Sequence, residues 1–192
     1  MTPLDLAGIF ALVLLAVLLV YFIVVTYNSV VGLQQRIDKA WANIDVALKQ
    51  RHDQLPALVS AVRGVMTWER GLLEEVARQR AAYTPTAPIP EQAVTAEATT
   101  RAVRSLLATV EAYPEVKSQA NVLDLQEEIE RLEGVIADRR ELYNDMIYRY
   151  NTRIGSVPAM FLAGLFAWRP RPFFRAEPHE QLRPETSLAS GE

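Results

Sequence analysis

The 192-residue sequence has no cysteine. That excludes a disulfide framework, a Cys-ligated zinc site and a thiol nucleophile. Its eight glycines form no cluster that could cradle a phosphate. Imidazole is limited to His52 and His179, too far apart in sequence to form a local metal motif. Charge of one sign is also lacking: 20 Lys+Arg against 23 Asp+Glu leave a formal −3, with no Lys/Arg run. Such a balance argues against nucleic acid as a partner. Neither a cofactor nor a metal is expected, and the length suits one domain plus an anchor.

One long hydrophobic run stands out. Leu6 to Val25 reads LAGIFALVLLAVLLVYFIVV, without a charged or strongly polar side chain. At about 1.5 Å per residue, a helix of this length covers about 30 Å, the hydrocarbon thickness of a bilayer. Tyr21, Tyr27 and Asn28 lie toward its far end, where amphipathic rings suit the headgroup zone. A cleaved signal peptide would want a basic start, a shorter apolar core and a small-residue cleavage site. MTPLD at the start and TYNSVVG at the end supply neither, so the run is read as a retained anchor. Asp5 is the single charge before it, and Arg36, Lys39, Lys49 and Arg51 follow. The positive-inside rule then predicts an outside N-terminus and a cytoplasmic body.

Beyond the anchor the pattern is helical throughout. Val30, Leu33, Ile37, Trp41, Ile44 and Leu48 recur every three or four residues and lay one apolar stripe along a helix. No strong break separates this stripe from the membrane run, so one continuous helix is expected. Its end is expected near Arg51-His52-Asp53, since Pro56 suits a helix start. A second helix over 56–82 has Val59, Val62, Met66, Leu73, Val76 and Ala77 on its inner side. Three prolines within Tyr83–Pro90 stop it. A third helix from Glu91 presents Ala93, Ala96, Thr100, Val103, Leu107 and Val110, a small face that predicts close packing, and breaks at Tyr113-Pro114. A fourth carries a coiled-coil-like heptad of Leu125, Ile129, Leu132, Ile136, Arg139, Tyr143, Met146 and Tyr150. Arg139 at a seam position needs snorkelling or a buried carboxylate partner. The expected fold is all-α: a transmembrane helix continuing into an antiparallel four-helix bundle. The expected divisions are anchor 1–27, bundle 28–156, an aromatic and basic membrane-proximal segment 157–175, and a disordered tail 176–192.

Candidate functional residues fall into three groups. Arg51, His52 and Asp53 form the densest polar cluster, read either as a docking site or as charges that cap helix ends. Tyr143-Asn144 and Tyr150-Asn151 repeat seven apart on one face, able to fix register across a bundle or to meet a ligand. In the segment after Val157, Phe166, Trp168, Phe173 and Phe174 mix with Arg169 and Arg171. Alternating helix directions bring this segment back to the membrane, where it is read as an interfacial stretch or as a plug for the open end of the bundle. The pairs Glu74-Glu75 and Glu127-Glu128 diverge by about 100° on a helix and share no site. Without a nucleophile or an acid/base pair the sequence reads as a non-enzyme.

A set of motifs in order carries a resemblance. They are Tyr27-Asn28; Ala40-Trp41-Ala42-Asn43-Ile44-Asp45-Val46-Ala47-Leu48-Lys49; Arg51-His52-Asp53 with Leu55-Pro56; and Glu111-Ala112-Tyr113-Pro114. Arg140, Tyr143-Asn144, Tyr150-Asn151-Thr152 and Pro158 through Ala163-Gly164-Leu165-Phe166 to Phe174 complete the set. From the anchor to about Phe174 the chain resembles the LemA family of bacterial membrane proteins. It departs at Ala57, where the family usually has Asn, and at Trp68-Glu69, where a His-Glu pair is usual. The resemblance implies a single-pass anchor in the bacterial inner membrane, a helical bundle and no established enzymatic activity. The function expected is a non-enzymatic scaffold or adaptor that binds a protein partner or organises the membrane surface through its bundle. Its expected partners are membrane lipid, an unidentified membrane or cytoplasmic protein, or a second copy of the chain. The alternative is an accessory or small-ligand-binding subunit of an envelope protease or peptide-handling system.

Overall fold

A computed structural model describes residues 3–63, 69–117 and 119–175. Among them there is no strand: the chain runs through α1 (Pro3–Arg63), α2 (Arg70–Ala81), α3 (Ile89–Glu111), α4 (Pro114–Lys117), α5 (Ala120–Gly155) and α6 (Ala159–Leu165). Met66, Trp68 and the tail 176–192, assigned from the sequence to an inner face, a family motif and disorder, lie outside the described residues. α1 is long and apolar enough at its start to cross a membrane. From Pro3 to Val25 every residue except Ile23 is exposed. A helix hydrophobic all round, and left uncovered by the other described residues, suits an apolar surrounding.

α1 does not end near Arg51-His52-Asp53 as the proline suggested; it continues through Pro56 to Arg63. Proline lacks the N–H that would bond the carbonyl four residues earlier, here that of His52. Arg80 of α2 supplies the missing donor: its Nε lies 3.2 Å from the His52 carbonyl oxygen. Leu55, Leu58, Val59 and Val62 keep the helical spacing across the proline and are all buried. Packing and a borrowed hydrogen bond therefore offset the defect. Ala77, expected to face inward, is exposed, while Leu73 and Val76 are buried.

The chain divides into two compact units, Met1–Asn43 with Glu141–Pro172, and Ile44–Arg140 with Phe173–Glu192. In the second unit one apolar core joins Leu58 and Val62 of α1, Val76 of α2, Val103, Leu106 and Val110 of α3, Val116 of α4, and Val122 and Ile129 of α5. α3 starts on prolines, with Pro88 at its N-cap and Pro90 in its first positions, where a missing N–H costs nothing because it has no acceptor in the helix. The buried Gln92 side chain donates to the Pro85 and Ala87 carbonyls, at 3.0 and 2.8 Å, and so fixes the proline-rich loop to that helix.

In the first unit, α1 and α5 meet through Gln34, whose Nε2 is 3.3 Å from the Tyr150 hydroxyl, and through Trp41, edge-on to Tyr143 at 5.8 Å. The heptad residues Tyr143 and Tyr150 are both buried. α6 ends in a tight reversal. Ala167 takes φ 53° and the Trp168 amide donates to the Ala163 carbonyl, the six-to-one bond of a Schellman motif with Ala where Gly is usual. This turn sends Trp168 to Pro172 along the helices instead of onward.

Candidate functional site

The Arg51 cluster belongs to the second unit, and it is not a pair of helix caps, because α1 passes straight through it. Arg51 is 3% exposed. Its Nη1 donates to Thr100 Oγ1 at 2.8 Å and to Glu133 Oε1 at 2.7 Å, and its Nη2 to the Ala96 carbonyl at 3.2 Å. Thr100 in turn donates to Glu133 Oε2 at 2.8 Å. A closed set of partners of this kind is what a buried charge requires, since an unpaired one costs several kcal/mol. The small face of α3 leaves the space: Ala93, Ala96, Thr99 and Thr100 are all buried, and a larger side chain at 96 or 100 would occupy the place of the guanidinium. Spacing along one helix could not reveal this site, because it joins α1, α3 and α5.

His52 and Asp53 take no part in that set. His52 Nδ1 lies 3.3 Å from the exposed Asp53 carboxylate, and its ring is 5.2 Å from that of Tyr83. Tyr83 donates to Asp45 Oδ1 at 3.2 Å. Burial, then the nearby Asp45 carboxylate, push the Tyr83 phenol up to about 12. Beside this cluster a groove of about 210 Å³ is lined by Leu55, Pro56, Val59, Ser60, Val76 and Ala77, with Arg63 and Arg80 among its walls. An apolar floor next to guanidinium groups suits a small apolar group carrying a negative charge.

The Tyr and Asn repeats of α5 lie in the first unit, and most of their polar atoms are committed. Asn151 reads the backbone of Arg171 in both directions: its Nδ2 donates to the Arg171 carbonyl at 3.0 Å, and its Oδ1 accepts from the Arg171 amide at 2.9 Å. The Tyr143 hydroxyl lies 3.4 Å from the Pro172 carbonyl. Burial raises the Tyr143 phenol above its ordinary value, Arg171 opposing this and Asp38 adding to it. Asn144 is half-buried on the same helix.

The aromatic and basic residues after α6 separate into inner and outer sets. Arg171 pairs with Asp38 and lies over the Tyr150 ring at 5.8 Å. Phe166 and Trp168 stack on each other at 5.2 Å and both meet Tyr27 of α1, at 5.0 and 6.0 Å. Arg169 is exposed. In the second unit Phe174 is fully buried against Arg140, whose guanidinium lies 5.2 Å from the ring centre, and Phe173 meets Arg175. Arg140 also pairs with Glu97 at 2.9 Å.

No metal-holding group of three or more His, Cys, Asp or Glu occurs among the described residues. A family model described as the LemA family matches residues 40–187, from the Ala-Trp-Ala-Asn stretch of α1 to beyond the last described helix. No curated protein matches the chain.

Proposed function

The chain belongs to the LemA family, and on that premise we propose that it is a membrane-anchored, non-enzymatic scaffold of the bacterial cell envelope. Its helical body binds a protein partner, or a second copy of the chain, next to the membrane. One observation carries this reading: a single helix, Pro3–Arg63, bears the exposed apolar segment Pro3–Val25 at its start and the core residues Leu58 and Val62 at its end. One helix joins the apolar segment to the body without an intervening loop, as a tether for assembly requires. The positive charges that follow the anchor favour a single pass with the N-terminus outside and the body in the cytoplasm.

The proposed arrangement of the body is an antiparallel bundle. Supporting it, Gln34 meets Tyr150 while Trp41 meets Tyr143, so one number rises as the other falls. Likewise His52 meets Arg80 while Asp45 meets Tyr83. The commitment of Arg51 to Glu133, Thr100 and the Ala96 carbonyl favours structural over catalytic use of that cluster.

Alkaline extraction of membranes tests the anchor. The full chain is expected to stay with the lipid and a chain lacking residues 1–27 to leave it; release of the full chain would contradict the proposal. Reporter fusions at both ends test orientation, and a C-terminal reporter active only outside the inner membrane would contradict it.

The groove beside Arg63 and Arg80 favours a second reading, an accessory subunit of an envelope protease or peptide-handling system that holds a small ligand. Ala77→Trp, an exposed position on the groove wall, separates the two. Partner capture survives this change if the body acts as a scaffold and fails if the groove must be filled.

A further inference from the structure

We infer that α6 is a second membrane contact, lying in the headgroup region of the leaflet that α1 enters. This rests on the reading of α1 as the anchor. Phe161 and Leu165 lie four apart, which aligns them on one side of this short helix, and Val157 stands in the turn just before it. Val157, Phe161 and Leu165 are 69%, 72% and 74% exposed. The opposite side is packed: Ala159 is fully buried, and Leu162 and Ala163 are half-buried. So much apolar surface open to water on and beside a helix of seven residues calls for a cover.

The neighbouring rings identify the cover. Phe166, at the C-terminal end of α6, and Trp168 both hold ring contacts to Tyr27. Tyr27 lies two residues beyond Val25, the last residue of the uncharged run. The rings therefore fasten the end of α6 to the point where α1 leaves the hydrocarbon, and Tyr and Trp favour that depth. α6 itself bears no charge, and the exposed Arg169 follows it, suited to anionic headgroups. A helix lying in the interface with its apolar side down satisfies all of these features. The contact is made by that side and not by Phe174 or Arg171, which face the protein's own interior and its Asp38.

Absence of cysteine makes the test direct. Single cysteines replace Phe161 or Leu165 in the full chain, with Val17→Cys as the reference inside α1 and Glu127→Cys as the aqueous reference. Each carries an environment-sensitive dye in vesicles of phosphatidylethanolamine and phosphatidylglycerol that contain nitroxide-labelled lipid. At 161 and 165 emission is expected to be lost most with a nitroxide near the top of the acyl chain, and at 17 most with one near its end. Loss at 17 with none at 161 and 165 overturns the second contact while the anchor stands. No loss at 17 overturns the anchor reading itself. Dyes at 161 and 165 that sit in an apolar surrounding yet escape the nitroxides place a protein or a second copy there, and overturn the lipid contact.

Discussion

The two units solve the problem of holding a polar group inside a helical protein in different ways. Around Arg51 a full charge is buried, and every near partner is a side chain or carbonyl of another helix. Around Asn151 a neutral amide reads the backbone of one residue, Arg171, whose guanidinium lies over the Tyr150 ring. The first arrangement is costly to break and cheap to replace by apolar groups. The second is weaker, but it gives shape to a stretch of chain that has no secondary structure of its own. The comparison predicts that damage at Arg51 weakens its whole unit, whereas damage at Asn151 frees a segment.

The largest effect is expected at Arg51. Arg51→Ala leaves Glu133 buried without its cation and should cost about 3–5 kcal/mol, read from urea unfolding of the solubilised full chain. Arg51→Met with Glu133→Leu and Thr100→Val should recover most of that loss. If the triple variant is no more stable than the single one, the cluster does more than neutralise itself.

A smaller and local effect is expected from Asn151→Ala, which removes both bonds to Arg171 at about 1–3 kcal/mol. Hydrogen exchange should speed up at the Arg171 amide and stay unchanged in the core around Val103 and Ile129. Uniform acceleration would erase the distinction between the two arrangements.

The Pro56 defect gives a third test. Arg80→Ala should cost about 1 kcal/mol more in the native background than in Pro56→Ala, where the His52 carbonyl regains its helical partner. A double-mutant cycle without coupling would mean that Arg80 does not compensate for the proline.

The least effect on stability is expected from the Tyr83 phenol, raised from 10.0 to about 12. A group whose folded value is raised contributes stability that is fully present below its unfolded value and lost as pH climbs through the folded one. The contribution therefore holds below pH 10 and fades between 10 and about 12. Ultraviolet titration against Tyr83→Phe should show the late phenolate, and Asp45→Asn should bring it part of the way down.

Much of the fold is legible in the sequence because it depends on spacing within one element. The stripes of α1 and α5, the small face of α3 and the proline-rich loop after Tyr83 are of this kind. Pro56 misleads because its remedy, Arg80, lies on another helix, and no local rule places a donor beside the freed carbonyl. Arg51 misleads for the same reason: beside a presumed helix end it resembles a cap, and its partners Thr100 and Glu133 come from distant turns. The run from Phe166 to Phe174 shows the right composition for an interface, but composition cannot tell which rings face inward. The reversal at Ala167 sorts them, and it uses a residue that gives no signal of a left-handed turn.

Crosslinking mass spectrometry on native membranes tests the scaffold proposal most directly, comparing the full chain with the same anchor fused to an unrelated helical bundle. A scaffold should yield a reproducible partner, a different protein or a second copy, whose crosslinks map to the body and vanish in the fusion. The same proteins recovered with both chains, crosslinked only near the anchor, would contradict it.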